Sequence, residues 1–147
     1  VSSGKSTFLN ALIFKDKVLH SAPGATTATI FKIVYGDTYK ITTPIGTTEC
    51  KDIQELREET IKYNEYVREK VDNKEKIEIK EVTLFLPNEH LKKGIILYDT
   101  PGFGALDEEA IIPILNKAIQ SSDAVVMLLD VSQGLKKGEK NFMENTL

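Results

Sequence analysis

Val1-Ser2-Ser3-Gly4-Lys5-Ser6-Thr7 opens the chain, and Phe8-Leu9-Asn10-Ala11-Leu12-Ile13 follows directly. Gly4-Lys5-Ser6 matches the end of G-x-x-x-x-G-K-[ST], whose first glycine would stand ahead of Val1. Phe8, Leu9, Leu12 and Ile13 fall at helical spacing, which predicts a helix over 5–15. A phosphate loop must feed a helix N-terminus, because free N–H groups and the helix dipole there hold anionic oxygens. In that reading residues 1–7 form the loop, with Ser3, Gly4, Lys5, Ser6 and Thr7 around the phosphates. Gly4 lets the backbone approach closely, Lys5 reaches the β- and γ-phosphates, and Ser6 offers its hydroxyl to Mg2+. Taken alone, the same residues also fit a solvated lysine after a capping Ser-Ser-Gly.

A second motif raises the weight of the first. Ile95-Ile96-Leu97-Tyr98 is a continuous apolar run that ends in Asp99-Thr100-Pro101-Gly102, a D-x-x-G. Such a run predicts a strand buried on both faces over 94–98. An aspartate at the carboxyl end of that strand would sit beside the phosphate loop and hold Mg2+ through water. The N–H of Gly102 would meet a γ-phosphate oxygen, a contact made only with the triphosphate. Between the motifs, residues 21–29 include Thr26 and Thr27 ahead of a strand. A threonine there could close on the metal and the γ-phosphate.

The rest of the chain reads as alternating elements. Thr29 to Tyr35 is β-branched and alternating; Tyr39 to Thr43 and Thr47 to Lys51 pair across Pro44-Ile45-Gly46. Asp52 and Glu55 have capping-box spacing. Ile53, Leu56, Thr60, Tyr63, Val67 and Val71 then recur every three or four residues, which predicts a helix of about five turns. Lys76 to Leu86 alternates as a strand, and Glu108 to Ser121 is helical, with Pro113 kinking it or starting its second part. Ala124 to Val131 reads as a second buried strand, and another helix starts after Lys136. The expected fold is α/β: a P-loop nucleoside triphosphatase, with a mostly parallel sheet flanked by helices and incomplete at both ends. The hairpin near 31–51 and the strand over 76–86 would add an antiparallel edge.

Composition excludes several classes. The chain has 147 residues, 41% hydrophobic and 28% charged, enough for one ordinary domain. Its longest apolar run, Ala124 to Leu129, is far short of the roughly 20 residues of a membrane helix. A net charge of −3 argues against nucleic acid as a main partner. Residues 51–81 are charge-rich, but the signs are mixed and balanced, as on a solvated helix face. Cys50 stands alone, so an internal disulfide is excluded and a reducing compartment is expected. His20, His90 and Cys50 are read as structural, since phosphoryl transfer needs positioning and charge rather than covalent chemistry.

With both motifs in hand, the chain resembles the amino-terminal GTPase domain of dynamin-like proteins, in particular bacterial ones. The resemblance is carried by Val1 to Leu12, by Pro23 to Ile30 with Tyr35-Gly36-Asp37, by Leu97 to Gly104, and by Asp123 to Asp130. It covers residues 1–147 as a partial domain: phosphate loop 1–7, switch loop 21–29, insert 36–90 and D-x-x-G 99–102. It implies GTP and Mg2+ as cofactors and hydrolysis to GDP and phosphate. Lys5 and Ser6 would bind phosphates and metal. Thr27, or Thr26, would close on the metal and the attacking water, and Ser2 would position that water or a monovalent cation. Ser6, Thr27 and Asp99 are the expected metal set. The resemblance also implies self-association through the GTPase domain and membrane remodelling through regions outside this chain. The implied place is the cytoplasm, peripheral at the inner face of the cell membrane.

Val1 departs from the glutamine of classical dynamins, and no N-K-x-D or T-K-x-D occurs within 1–147, so guanine rests on the resemblance. Two other readings compete: a small GTPase of the ribosome-assembly or tRNA-modification type, and a nucleotide-gated scaffold with little hydrolysis. The insert 36–90 argues against the first, since small GTPases need only a hairpin there. Residues 1–147 expressed alone are expected to bind nucleotide weakly and to aggregate, because apolar edges of the two buried strands would lack neighbours.

Overall fold

The computed structural model describes residues 4–14, 19, 29–73, 81–100, 108–129, 134 and 137–146. Its centre is a five-stranded sheet built from β1 (Ile30–Tyr35), β2 (Tyr39–Thr43), β3 (Gly46–Cys50), β4 (Glu81–Leu86) and β5 (Leu97–Asp99). The strand order is β3-β2-β4-β1-β5. Helices α1 (Lys5–Leu9), α2 (Ile53–Asp72), α3 (Glu89–Lys92), α4 (Glu108–Gln120) and α5 (Lys137–Thr146) complete the described elements. A π-helical turn over Asn10–Phe14 extends α1.

The α/β class is as expected, but the sheet is mixed rather than mostly parallel. Only β1 and β4 run parallel, with Phe31 opposite Val82 and Ile33 opposite Leu84. β5 is antiparallel to β1, and β2 is antiparallel to both β3 and β4. The strand expected over 76–86 is therefore no edge. Its described part, β4, threads between β2 and β1, so the insert supplies three of the five strands. Ile77 and Ile79 lie outside the described residues.

Alternation decides which face is packed. Phe31 and Ile33 of β1, Val82, Leu84 and Leu86 of β4, and Ile41 of β2 share one face and are buried. Leu56 of α2, Ile13, Leu19 and Leu91 close over them in one cluster. The other face carries Lys32, Val34, Thr83 and Phe85, all half-buried. There Lys40 Nζ lies 4.2 Å from the Phe85 ring centre. At the end of β1, Gly36 passes so close to β4 that a Cβ would stand 2.7 Å from Phe85 Cβ. Its N–H donates to Leu86 O at 3.1 Å.

Local chemistry sets the helix ends. Asp52 Oδ1 accepts from Glu55 N at 2.9 Å, and Glu55 Oε2 accepts from Lys51 N at 2.6 Å. The capping box forms, with its return bond one residue earlier than the usual pattern. Leu56, Thr60 and Val67 face inward, and Thr60 Oγ1 donates to Leu56 O at 2.8 Å. The short α3 follows Asn88, whose Oδ1 accepts from His90 N and Leu91 N. α4 runs continuously with Pro113 inside it, so Pro113 starts no separate helix.

Two strands expected to be buried are not. Strand β5 is three residues long, and Ile95 and Ile96 before it are 43% and 52% exposed. It pairs with β1 alone, so its other edge carries no ladder among the described residues. Residues 124–129 form no ladder, and Val126 is 71% exposed. Apolar character alone did not bury either run, because burial on both faces requires other elements packed over each face.

Candidate functional site

The helix that begins at Lys5 inverts the usual rule of apolar residues inside. Of its expected stripe, Leu9 packs on the core and Ile13 is buried, but Phe8 and Leu12 are exposed. Ser6 and Asn10, one turn apart, are buried instead. Gly4 precedes the helix with φ 78° and ψ 12°, the left-handed region, and as the N-cap residue it brings no side-chain cap. The first bond of the helix runs from Phe8 N to Gly4 O at 2.8 Å. The N–H groups ahead of it are those a helix leaves for an outside acceptor.

Asp99 ends β5 and meets this helix. Ser6 Oγ donates to Asp99 Oδ2 at 2.9 Å across 93 residues of sequence. Asp99 is 2% exposed, and its Oδ1 has no hydrogen-bond donor among the described residues. Burial pushes its carboxyl above the usual carboxylate range, opposed by the Ser6 hydroxyl bond and the Lys5 charge. Burial likewise pulls the Lys5 ammonium below its ordinary value, while the charges of Asp99 and Glu139 pull it back. Glu139, on α5, is itself 9% exposed.

A hydroxyl and a carboxylate oxygen that lacks a donor, both buried, form a hard-oxygen pair of the kind that suits Mg2+. Among the described residues no three His, Cys, Asp or Glu side chains gather as a metal site. An ion here would need ligands beyond this pair, and water and phosphate are the usual ones for Mg2+ in nucleotide sites.

Of the residues expected at the site, Gly4, Lys5, Ser6, Thr7 and Asp99 are described. Ser6 and Asp99 touch, Lys5 is coupled to Asp99, and Thr7 is exposed. Ser2, Ser3, Thr26, Thr27 and Gly102 lie outside the described residues. The sequence reading includes Asn10 in the stretch that carries the resemblance but gives it no role, although a polar residue four places after Ser6 on an amphipathic helix is a visible signal. It also passed over Glu139, for which no local pattern pointed to Lys5. Among the described residues no helix is long and apolar enough to cross a membrane.

The family model described as the Dynamin family matches residues 1–147, which bears out the resemblance carried by the two phosphate motifs. A search of the curated proteins returned no match.

Proposed function

From the premise that this chain belongs to the dynamin family, we propose that its Lys5–Asp99 end binds GTP with Mg2+ and, in the full-length protein, hydrolyses it to GDP and phosphate. The observation that carries this reading is the Ser6–Asp99 contact at 2.9 Å, with Asp99 Oδ1 lacking a donor among the described residues. Lys5 supplies positive charge to the β- and γ-phosphates, and the N–H groups after Gly4 donate to phosphate oxygens. Ser6 and Asp99 would hold the ion. When bound, Mg2+ neutralises charge on the phosphates. Thr27, with Thr26 as the alternative, closes on the metal and the attacking water. Ser2 orients that water or a monovalent cation, and Gly102 reports the γ-phosphate through its N–H. Catalysis here is positioning and charge stabilisation, so no nucleophilic side chain is required.

Turnover drives membrane remodelling through regions outside residues 1–147, with copies associating through the GTPase domain at the inner face of the cell membrane. Phosphate release by the full-length protein, with and without anionic lipid vesicles, tests the whole reading. Thr27→Ala should keep GTP affinity and lose about 100-fold in turnover, because its contact forms mainly in the transition state. If Thr26→Ala loses turnover and Thr27→Ala does not, the role moves by one residue. Binding without any turnover in the wild type would leave a nucleotide-gated scaffold.

A further inference from the structure

The buried amide of Asn10 makes two bonds to one residue. Its Nδ2 donates to Leu19 O at 2.9 Å, and its Oδ1 accepts from Leu19 N at 2.8 Å. The side chain thus copies a peptide group and pairs with Leu19 as a neighbouring strand would. Two bonds to a single residue fix both the position and the rotation of the chain there, which one bond cannot do. Both partners are buried, Asn10 at 6% and Leu19 at 2% exposure, so water does not substitute for either bond.

The placement of this pair gives it meaning. Ser6 and Asn10 lie one turn apart on the same helix, whose backbone joins them through Asn10 N to Ser6 O. The helix that presents the Ser6 hydroxyl to Asp99 therefore also holds Leu19. Leu19 is the last described residue before Thr29, which is 2% exposed and leads into β1. Thr26 and Thr27 lie in sequence between these two buried anchors. At the far end of the helical segment, Asn88 Nδ2 donates to Ile13 O at 3.0 Å, a second anchor made by a different residue.

We propose that Asn10 is a positioning residue, clamping the chain at Leu19 so that the threonine-bearing stretch after it starts at a fixed place relative to Ser6. The proposal rests on the GTPase reading above for its kinetic consequence, but the clamp itself is a property of the fold. The clamp sets where the stretch begins and leaves the phosphate contacts of Lys5 to the loop. It should therefore govern turnover more than nucleotide affinity.

The test uses the full-length protein. Hydrogen exchange should find the Leu19 amide protected like those of Ile33 and Leu84; exchange at the rate of an exposed turn would overturn the proposal. Asn10→Ala should lower kcat about tenfold, the expected scale for losing a buried pair of bonds, while GDP affinity changes less than about twofold. Asn10→Asp keeps the acceptor for Leu19 N but sets a carboxylate oxygen against Leu19 O, so its kcat should fall at least as far. Asn88→Ala should lower the melting temperature and leave kcat unchanged. The idea is wrong if Asn10→Ala keeps wild-type kcat, if it weakens GDP binding as much as turnover, or if Asn88→Ala slows turnover equally. Should the wild type hydrolyse no GTP, the GTPase reading falls, and the Leu19 amide still decides the clamp.

Discussion

The two ends of the sheet bury opposite kinds of residue. Around β2, β4 and α2 the interior is Ile41, Leu56, Val82, Leu84 and Leu86, with Thr60 bonded within its own helix. Around α1 and β5 the buried residues include Ser6, Asn10 and Asp99, and Phe8, Leu12, Ile95 and Ile96 are exposed. Apolar burial stabilises at about 25 cal/mol per Å2, whereas a buried carboxylate without full pairing costs free energy. The insert end therefore carries stability, and the α1–β5 end buries polar groups, with Asp99 Oδ1 lacking a donor among the described residues.

Substitutions can break this contrast. Leu84→Ala should be the most damaging, costing about 2–5 kcal/mol in urea unfolding, since Leu84 is fully buried between β1 and β2. A loss near zero would mean that the stable core lies elsewhere. Gly36→Ala should cost about 1–3 kcal/mol by forcing Phe85 and β4 away from the new Cβ. Asp99→Asn should change the stability of the nucleotide-free protein by less than about 1 kcal/mol, because it removes a charge that burial already penalises. The same variant should lose the Mg2+ dependence of GTP binding, measured by titration with and without the ion. A large loss of stability in Asp99→Asn would place the aspartate among the structural residues instead. The smallest effect concerns Cys50, which is 7% exposed and whose thiol is pushed up by burial and then by Glu55. Alkylation at neutral pH should be slow in the folded protein and become fast in urea.

Much of the insert end was legible because its signals are local. The hairpin across Pro44 and Ile45 and the helix from Ile53 show their period in a few residues. The place of β4 was not legible, since its pairing with β1 closes across some 50 residues and no local pattern names the partner. At the other end the motif residues were legible through their chemistry: Lys5, Ser6 and Asp99 were singled out, and Ser6 and Asp99 do meet. Burial was misread there. The apolar runs before Asp99 and after Asp123 read as interior strands, yet Ile95, Ile96, Val125, Val126 and Leu129 are exposed. Hydrophobicity indicates that a strand can be buried, and the elements packed over its faces decide whether it is. Asn10 received no role for the converse reason, as a polar residue placed inside by a backbone partner that the helical period does not reveal.

Calorimetric titration of GTP with Mg2+ into the full-length protein and into its Lys5→Ala variant tests the central claim most directly. The account predicts saturable, Mg2+-dependent binding to the wild type, and a loss of about 100-fold or more in Lys5→Ala, the scale of about 3 kcal/mol for a charge-assisted contact. The unfolding midpoint of the variant should not fall, because burial already disfavours the Lys5 charge. Unchanged affinity in Lys5→Ala would contradict the assignment of this end of the sheet to nucleotide.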